Sequence, residues 1–187
     1  WTGIRGGEYL KEVRLLFSSL MVPNSTLAPR DFMNLDISGK VALIAGGTGG
    51  LGKPITLSFL NAGAKVAVTY IRDDEIAALR NEVGDRAALI STHAVNVTDD
   101  GSVRSAVETL VAKHGRIDIL VNTVGGYAGG LKLWETDPQV LSQMLDLNLR
   151  SGYVLARNVV PVMLKQKSGA IVNIAARAAF DHAAGAS

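Results

Sequence analysis

The chain has no cysteine among its 187 residues. That excludes a disulfide framework, thiolate-held metals, iron–sulfur clusters and a cysteine nucleophile. Histidine is nearly as scarce: His93, His114 and His182 stand far apart and make no ligand pattern, so no metal site is expected. No apolar run reaches the roughly eighteen residues that a membrane-spanning helix needs. Positive charge is not concentrated either. Nineteen Lys and Arg against seventeen Asp and Glu leave a net charge of +2, spread without a basic stripe, which argues against a nucleic-acid partner. Aromatics are sparse at 5%. What is plentiful is apolar residues, at 48%, enough for a compact core, and glycine, with twenty copies that fall in clusters.

The two ends differ from the middle. Residues 1–32 show no period and read as a leader, disordered or not native to the folded part. The apolar stretch Leu15 to Pro23 follows basic residues and is also compatible with the core of a signal peptide. Asn24-Ser25-Thr26 matches a glycosylation acceptor, a motif common by chance. Met33 is the natural start, which gives one domain over 33–187. After Ala175 the residues are small and loop-like, and the chain is expected to be cut short at its C-terminus.

Between these ends the chain alternates in period. Val41-Ala42-Leu43-Ile44-Ala45 is a continuous apolar run, as in a strand buried on both faces of a parallel sheet. Further strands are expected over 65–70, within 87–97, over 117–122 and over 170–174. Helices are expected over 50–61, with Leu51, Ile55 and Phe59 four apart on one face, and over 73–83. Another begins after a cap at Asp99, Asp100 or Ser102 and stops at His114-Gly115. A long one, over 137–167, is expected to kink near Pro161. Strands alternating with helices define an α/β fold, the pattern of a doubly wound parallel sheet.

The first strand runs into Ala45-Gly46-Gly47-Thr48-Gly49-Gly50-Leu51-Gly52 and then a helix. A phosphate needs backbone N–H groups close to its oxygens, and a β-carbon blocks that approach. Two glycine registers fit, Gly47-x-Gly49-x-x-Gly52 and Gly46-x-x-x-Gly50-x-Gly52. The strand before and the helix after are the context such a loop requires.

The second register, with four later landmarks in order, resembles the N-terminal part of the short-chain dehydrogenase/reductase family. Asn96-Val97 stands where that family has Asp-Val beside the adenine. Asn122-Thr123-Val124-Gly125 stands where it has Asn-Asn-Ala-Gly. Asn148 matches the asparagine of its long helix, and residues 169–174 match the strand leading to its catalytic serine. The resemblance implies a Rossmann-type doubly wound parallel sheet of strand order 3-2-1-4-5, C-terminally incomplete here, and an NAD(P)-dependent oxidoreductase that moves hydride to or from a carbonyl, alcohol or related group of a small molecule, cytoplasmic, and a homodimer or homotetramer when full length. It implies that Gly46, Gly50, Leu51 and Gly52 hold the pyrophosphate, Asn96 and Val97 flank the adenine, and Asn122 and Gly125 flank the nicotinamide side. Asn148 would hold a water in the proton relay. Where an acid would bind a ribose 2′-hydroxyl the chain has Tyr70, followed by Arg72, so NADP(H) is expected over NAD(H), with Asp73 and Asp74 as first-turn helix residues.

The chain also departs from the family. Ala176 occupies the serine position, and the expected Tyr-x-x-x-Lys pair would fall just after Ser187, so the fragment alone is expected to be inactive. The loop Ala176-Arg177-Ala178-Ala179 is similar to that of dihydropteridine reductases, where alanine also replaces serine, as is the run Val124 to Gly130. A substrate needing little carbonyl polarisation, an imine or a quinone-like ring, suits such a loop. Ala176 equally motivates a different reading, a non-catalytic dinucleotide-binding or regulatory protein, and a nucleotide-sugar epimerase is a third. Arg177, Asp181 and His182 lie in the loop that would line the substrate site.

Overall fold

The computed structural model describes residues 36–176. Contacts divide the chain after Asp36, and every element below belongs to the unit that begins at Ile37. The expected leader over 1–32, the start at Met33, and Arg177, Asp181 and His182 lie outside the described residues.

Five strands form one parallel sheet: β1 (Val41–Ala45), β2 (Lys65–Tyr70), β3 (Ile90–Ala94), β4 (Ile119–Asn122) and β5 (Ala170–Asn173). Their order is β3-β2-β1-β4-β5, as the family resemblance implies. Ala45 pairs with Thr69 and Asn122, and Asn122 pairs with Asn173, so the segments that follow the strands all leave from one edge. The direction of winding reverses between β1 and β4, and outside this reversal lies the crevice where such sheets bind ligands.

All five residues of β1 are buried. Val41, Leu43 and Ala45 join a core with Leu120, with Val103, Val107 and Leu110 of α3 (Asp100–His114), and with Val154, Leu155 and Val159 of α5 (Ser151–Gln166). Side chains alternate along a strand, so Ala42 and Ile44 face the other side. The elements α1 (Gly52–Asn61) and α2 (Asp73–Val83) contact β1 and β2 and bury Ile55, Leu60, Ile76, Leu79 and Val83. This packing on two sides is what a continuous apolar run requires.

Local signals set most ends. The Asp99 carboxylate accepts a hydrogen bond from the Ser102 N–H at 2.7 Å, and Gly115 closes α3 at φ 72°, a left-handed conformation that glycine adopts without strain. In α1 the buried face is Gly52, Ile55, Thr56 and Leu60 rather than Leu51, Ile55 and Phe59; Leu51 is 41% exposed. The expected long helix is real but interrupted elsewhere than at Pro161. α4 (Pro138–Leu145) passes into a π turn over Asp146–Arg150 before α5, and Pro161 sits within α5, which continues to Gln166.

Asp118 ties the front of the sheet together. It is 5% exposed, its carboxylate accepts from the Val41 N–H at 2.9 Å, and its own N–H donates to the Val41 carbonyl at 2.8 Å. Burial pushes its carboxyl upward, but hydrogen bonds from Arg116 and the Val41 N–H outweigh that and hold it below the usual carboxylate range. A lowered folded-state value contributes stability that is fully present above the unfolded value, near pH 4, and is lost as pH falls through the folded one. Asp118→Ala leaves the Val41 N–H without its partner and is expected to cost about 2 kcal/mol. Urea unfolding at neutral pH measures that cost, and Asp118→Asn should flatten the acid limb of the stability profile.

Candidate functional site

The loop between β1 and α1 is shaped by contacts that glycine alone permits. Gly46 has φ 70°, and a β-carbon on it would sit 3.0 Å from Val124 Cγ2. A β-carbon on Gly52 would lie 1.9 Å from the Gly46 carbonyl oxygen, closer than any atom pair tolerates. Gly50 is different: a β-carbon there meets no protein atom within 4 Å. Nothing in the protein's own packing demands glycine at that position, which fits a loop surface kept bare for a ligand.

Three threonines fix the loop. The Gly46 N–H donates to Thr69 Oγ1 at the end of β2, and Thr56 Oγ1 of α1 donates to the Gly47 carbonyl at 2.9 Å. Thr123, which follows β4, donates from Oγ1 to the Ala45 carbonyl at 2.7 Å and from its N–H to the same oxygen at 3.0 Å. The loop is thereby clamped across the β1–β4 reversal. Among the described residues no hydrogen bond engages the N–H groups of Gly50, Leu51 or Gly52, which open α1. Helix-opening N–H groups carry partial positive charge and suit an anion.

The expected nicotinamide-side residues do come together. Asn122 is 4% exposed; its Oδ1 accepts from the Val124 N–H at 3.1 Å and its Nδ2 donates to Ser151 Oγ at 3.3 Å. Ser151 Oγ donates in turn to the Leu147 carbonyl at 2.7 Å, inside the π turn. That turn carries Asn148, whose amide is bonded in both directions to Gly126: Oδ1 accepts from its N–H and Nδ2 donates to its carbonyl, each at 3.0 Å. Gly125 lies just before, and a β-carbon on it would come 2.9 Å from Asn148 Oδ1. Asn148 therefore clamps the loop after β4 through its amide. Arg150, from the same turn, donates to the Thr98 carbonyl at 3.2 Å.

On the expected adenine side the pair splits. Asn96 is exposed and its Oδ1 accepts from the Thr98 N–H and hydroxyl, shaping the turn into α3. Val97 is 3% exposed and packs in the core beside Val95 and Val103, so it has little side-chain surface to offer a base. Tyr70 ends β2, and Arg72 is the residue before α2, with Asp73, Asp74 and Glu75 in the first turn as expected. Arg72 is not free. Its guanidinium donates to both Asp74 oxygens, at 2.5 and 3.1 Å, which raises its own pKa and holds the Asp74 carboxyl below the usual range. Ala176 is exposed in the segment after β5.

No expectation from sequence attaches a role to Thr56, Thr69, Thr123 or Ser151. Thr56 carried the one available signal, a polar residue on the buried face of an otherwise apolar helix. The others declare themselves only through partners distant in sequence. No helix among the described residues is long and apolar enough to cross a membrane.

Comparison with known proteins agrees with this geometry. The family model described as short chain dehydrogenase matches residues 40–187. A 3-oxoacyl-(acyl-carrier-protein) reductase of Thermotoga maritima is 35% identical over 138 residues, covering 74% of this chain and 56% of the relative. (+)-Borneol dehydrogenase 1 of Salvia officinalis is 33% identical over 137 residues, covering 73% of this chain and 52% of the relative. The solved structure of ElxO with NADP bound superposes with a TM-score of 0.75 at 28% identity, covering 79% of this chain and 60% of that one. The chain thus spans a little over half the length of these relatives. A family model matched over most of the sequence, on a parallel sheet with a glycine loop at its winding reversal, settles the family: the chain belongs to the short-chain dehydrogenases.

Proposed function

We propose that residues 33–187 are the NAD(P)-binding part of an oxidoreductase that transfers hydride to or from a carbonyl, alcohol or related group of a small molecule. The observation that carries this is the glycine loop: N–H groups left open at Gly50, Leu51 and Gly52, no protein atom near a β-carbon at Gly50, and a clamp by Thr123 at the winding reversal. These features fit a dinucleotide pyrophosphate. When bound, the dinucleotide supplies or accepts the hydride. In this reading Gly46, Gly50, Leu51 and Gly52 seat the pyrophosphate, and the exposed Asn96 lies toward the adenine with Val97 beneath it. Asn122, through Ser151, sets the π turn. Asn148 then holds Gly126, and with it Gly125, beside the nicotinamide. The resemblance to relatives named as reductases and dehydrogenases supports the reaction class.

NADP(H) is the favoured cofactor in the proposal. Tyr70 rather than an acid ends β2, Arg72 stands just beyond, and ElxO, a structural relative, binds NADP. The expected result of a fluorescence titration is NADPH bound a few-fold tighter than NADH, with that difference removed by Arg72→Ala. No binding of either would overturn the proposal. A homodimer or homotetramer belongs to the same reading, supported by a stripe of exposed apolar residues, Leu141, Leu145, Leu149 and Tyr153, along α4, the π turn and α5. Solution mass checks it. The cytoplasmic location implied by the resemblance is carried as part of the proposal.

Binding without catalysis is the second reading, and Ala176 favours it, because a methyl group cannot donate a hydrogen bond to a substrate oxygen. Ala176→Ser separates the two. In the full-length gene product of a catalyst, the new hydroxyl should raise kcat on simple ketones about tenfold, less than the ~3 kcal/mol a preorganised oxyanion donor provides, with cofactor affinity unchanged. A protein that only binds gains no turnover.

A further inference from the structure

At the end of β2, beside the glycine loop, four side chains form a connected group. Arg72 donates through Nε to Asp74 Oδ1 at 3.1 Å and through Nη2 to Oδ2 at 2.5 Å. Its Nε also lies 3.9 Å from Glu75 Oε1. The other Glu75 oxygen accepts from the hydroxyl of Thr48, in the glycine loop itself, at 2.7 Å. One cation thus stands between two carboxylates, and the group is linked to the loop that would carry a pyrophosphate. A dinucleotide seated there brings its adenosine ribose to this end of β2, where an acid receives a free 2′-hydroxyl and an arginine a 2′-phosphate.

The two hydrogen bonds matter because a guanidinium presents its donors as a fixed fork. With the Nε and Nη2 donors turned to Asp74, the edge that best grips a phosphate is already occupied. Asp74 also places a negative charge against the guanidinium that a phosphate dianion would approach. Both effects act on NADP(H), and neither acts on NAD(H), which brings no charge to this position.

Resting on the reading of the chain as an NAD(P)-binding domain, we propose that Asp74 is a specificity-determining residue: it latches the Arg72 guanidinium and holds down the affinity for a 2′-phosphorylated cofactor. The chain is then poised between the two cofactors. Arg72 favours the phosphorylated one and Asp74 opposes it. Glu75, held by Thr48, keeps a second carboxylate nearby, so releasing Asp74 alone yields a limited gain. Arg72 and Asp74 are both mostly exposed, with side chains 67% and 65% accessible, so the latch is an exchangeable surface pair that a ligand can open.

The test uses Asp74→Asn, which keeps the size of the side chain and removes its charge. Binding of NADPH and NADH is followed by fluorescence, and 2′,5′-ADP and 5′-AMP are titrated calorimetrically to isolate the adenosine end. Asp74→Asn should bind NADPH and 2′,5′-ADP about tenfold tighter, with NADH and 5′-AMP changed by less than about twofold, and the gain should shrink as salt is raised. Asp73→Asn makes the same change in net charge one residue away, where no contact with Arg72 is made, and should give a clearly smaller gain. In the double variant with Arg72→Ala the gain from Asp74→Asn should shrink to that of Asp73→Asn. The latch is overturned if Asp74→Asn binds NADPH no tighter than the parent while both bind NADH. It is also overturned if Asp73→Asn gives an equal gain, or if the gain survives undiminished without Arg72. If no probe binds to parent or variant, the dinucleotide reading falls and the latch falls with it.

Discussion

Gly52→Ala is expected to weaken dinucleotide binding by at least about 100-fold, the loss of two hydrogen bonds to a charged group, and to destabilise the fold as well. The added methyl carbon would lie 1.9 Å from the Gly46 carbonyl oxygen and 2.8 Å from Gly47 Cα. Both are backbone atoms, so no side chain can swing away. Gly46 cannot yield easily, because its N–H is held by Thr69 and its carbonyl by the Thr123 hydroxyl. Either the start of α1 must move out or the loop must open, and each displaces the N–H groups of Gly50, Leu51 and Gly52. Forced overpacking of this kind costs about 1–3 kcal/mol in stability. Gly50→Ala is the informative contrast. Its methyl meets no protein atom within 4 Å, so the fold should stay within about 0.5 kcal/mol of the parent, as for other surface changes. It nonetheless fills the space a phosphate would occupy, and binding should drop. A Gly50→Ala protein that binds NADPH as the parent does would show that the loop is shaped for the fold alone. Titration and urea unfolding on the two variants together separate what the protein needs from what the ligand needs.

The features that were legible in the sequence are those with short-range causes. β1 is an unbroken apolar run because both its faces are covered, and the run alone says so. Gly115 stops α3 and Asp99 starts it through interactions three or four residues long. The glycine loop announces itself because close backbone approach has no substitute for glycine. Features set by distant partners were not legible. Thr69 and Thr123 shape the glycine loop from 23 and 77 residues away, and nothing near them in sequence marks that role. The π turn over Asp146–Arg150 was missed, and the irregularity was expected at Pro161, because proline is a local signal and the turn is not. The turn is held from outside the helix, by Asn122 through Ser151 and by Gly126 through Asn148. For the same reason the place of Asn148 was legible and its partner Gly126 was not. Val97 belongs to both kinds: its place in a motif points to a ligand, and its apolar side chain packs in the core at 3% exposure.

Leu155→Ala is expected to cost about 3–4 kcal/mol, within the range for leucines truncated in a packed interior. Leu155 is 1% exposed and belongs to the core with Leu120, Val154, Val159 and Met163. Its neighbours come from α5, α3 and the sheet, and a rigid sheet cannot collapse into the space left behind. A domain of this size is stable by only about 5–15 kcal/mol, so the loss is a large fraction of the whole. The consequence reaches the candidate site, because α5 begins where the π turn ends. Polar contacts also fix this helix: Asn158 and Arg157 both reach the Asp100 carboxylate at the start of α3, at 3.0 and 3.1 Å. Those contacts are surface-exposed or partly so and weak beside the core, so they cannot replace the lost packing. Loosening α5 should therefore loosen the turn that places Asn148 on Gly126, and the loop after β4 should lose amide protection before the glycine loop does. Leu164→Ala serves as the control. It lies on the same helix but is 65% exposed, and its change should stay within about 0.5 kcal/mol. Hydrogen exchange and denaturant unfolding on both variants read the two effects. If Leu155→Ala unfolds at the same denaturant concentration as Leu164→Ala, α5 is not anchored through this face, and the route from the core to Asn148 is wrong.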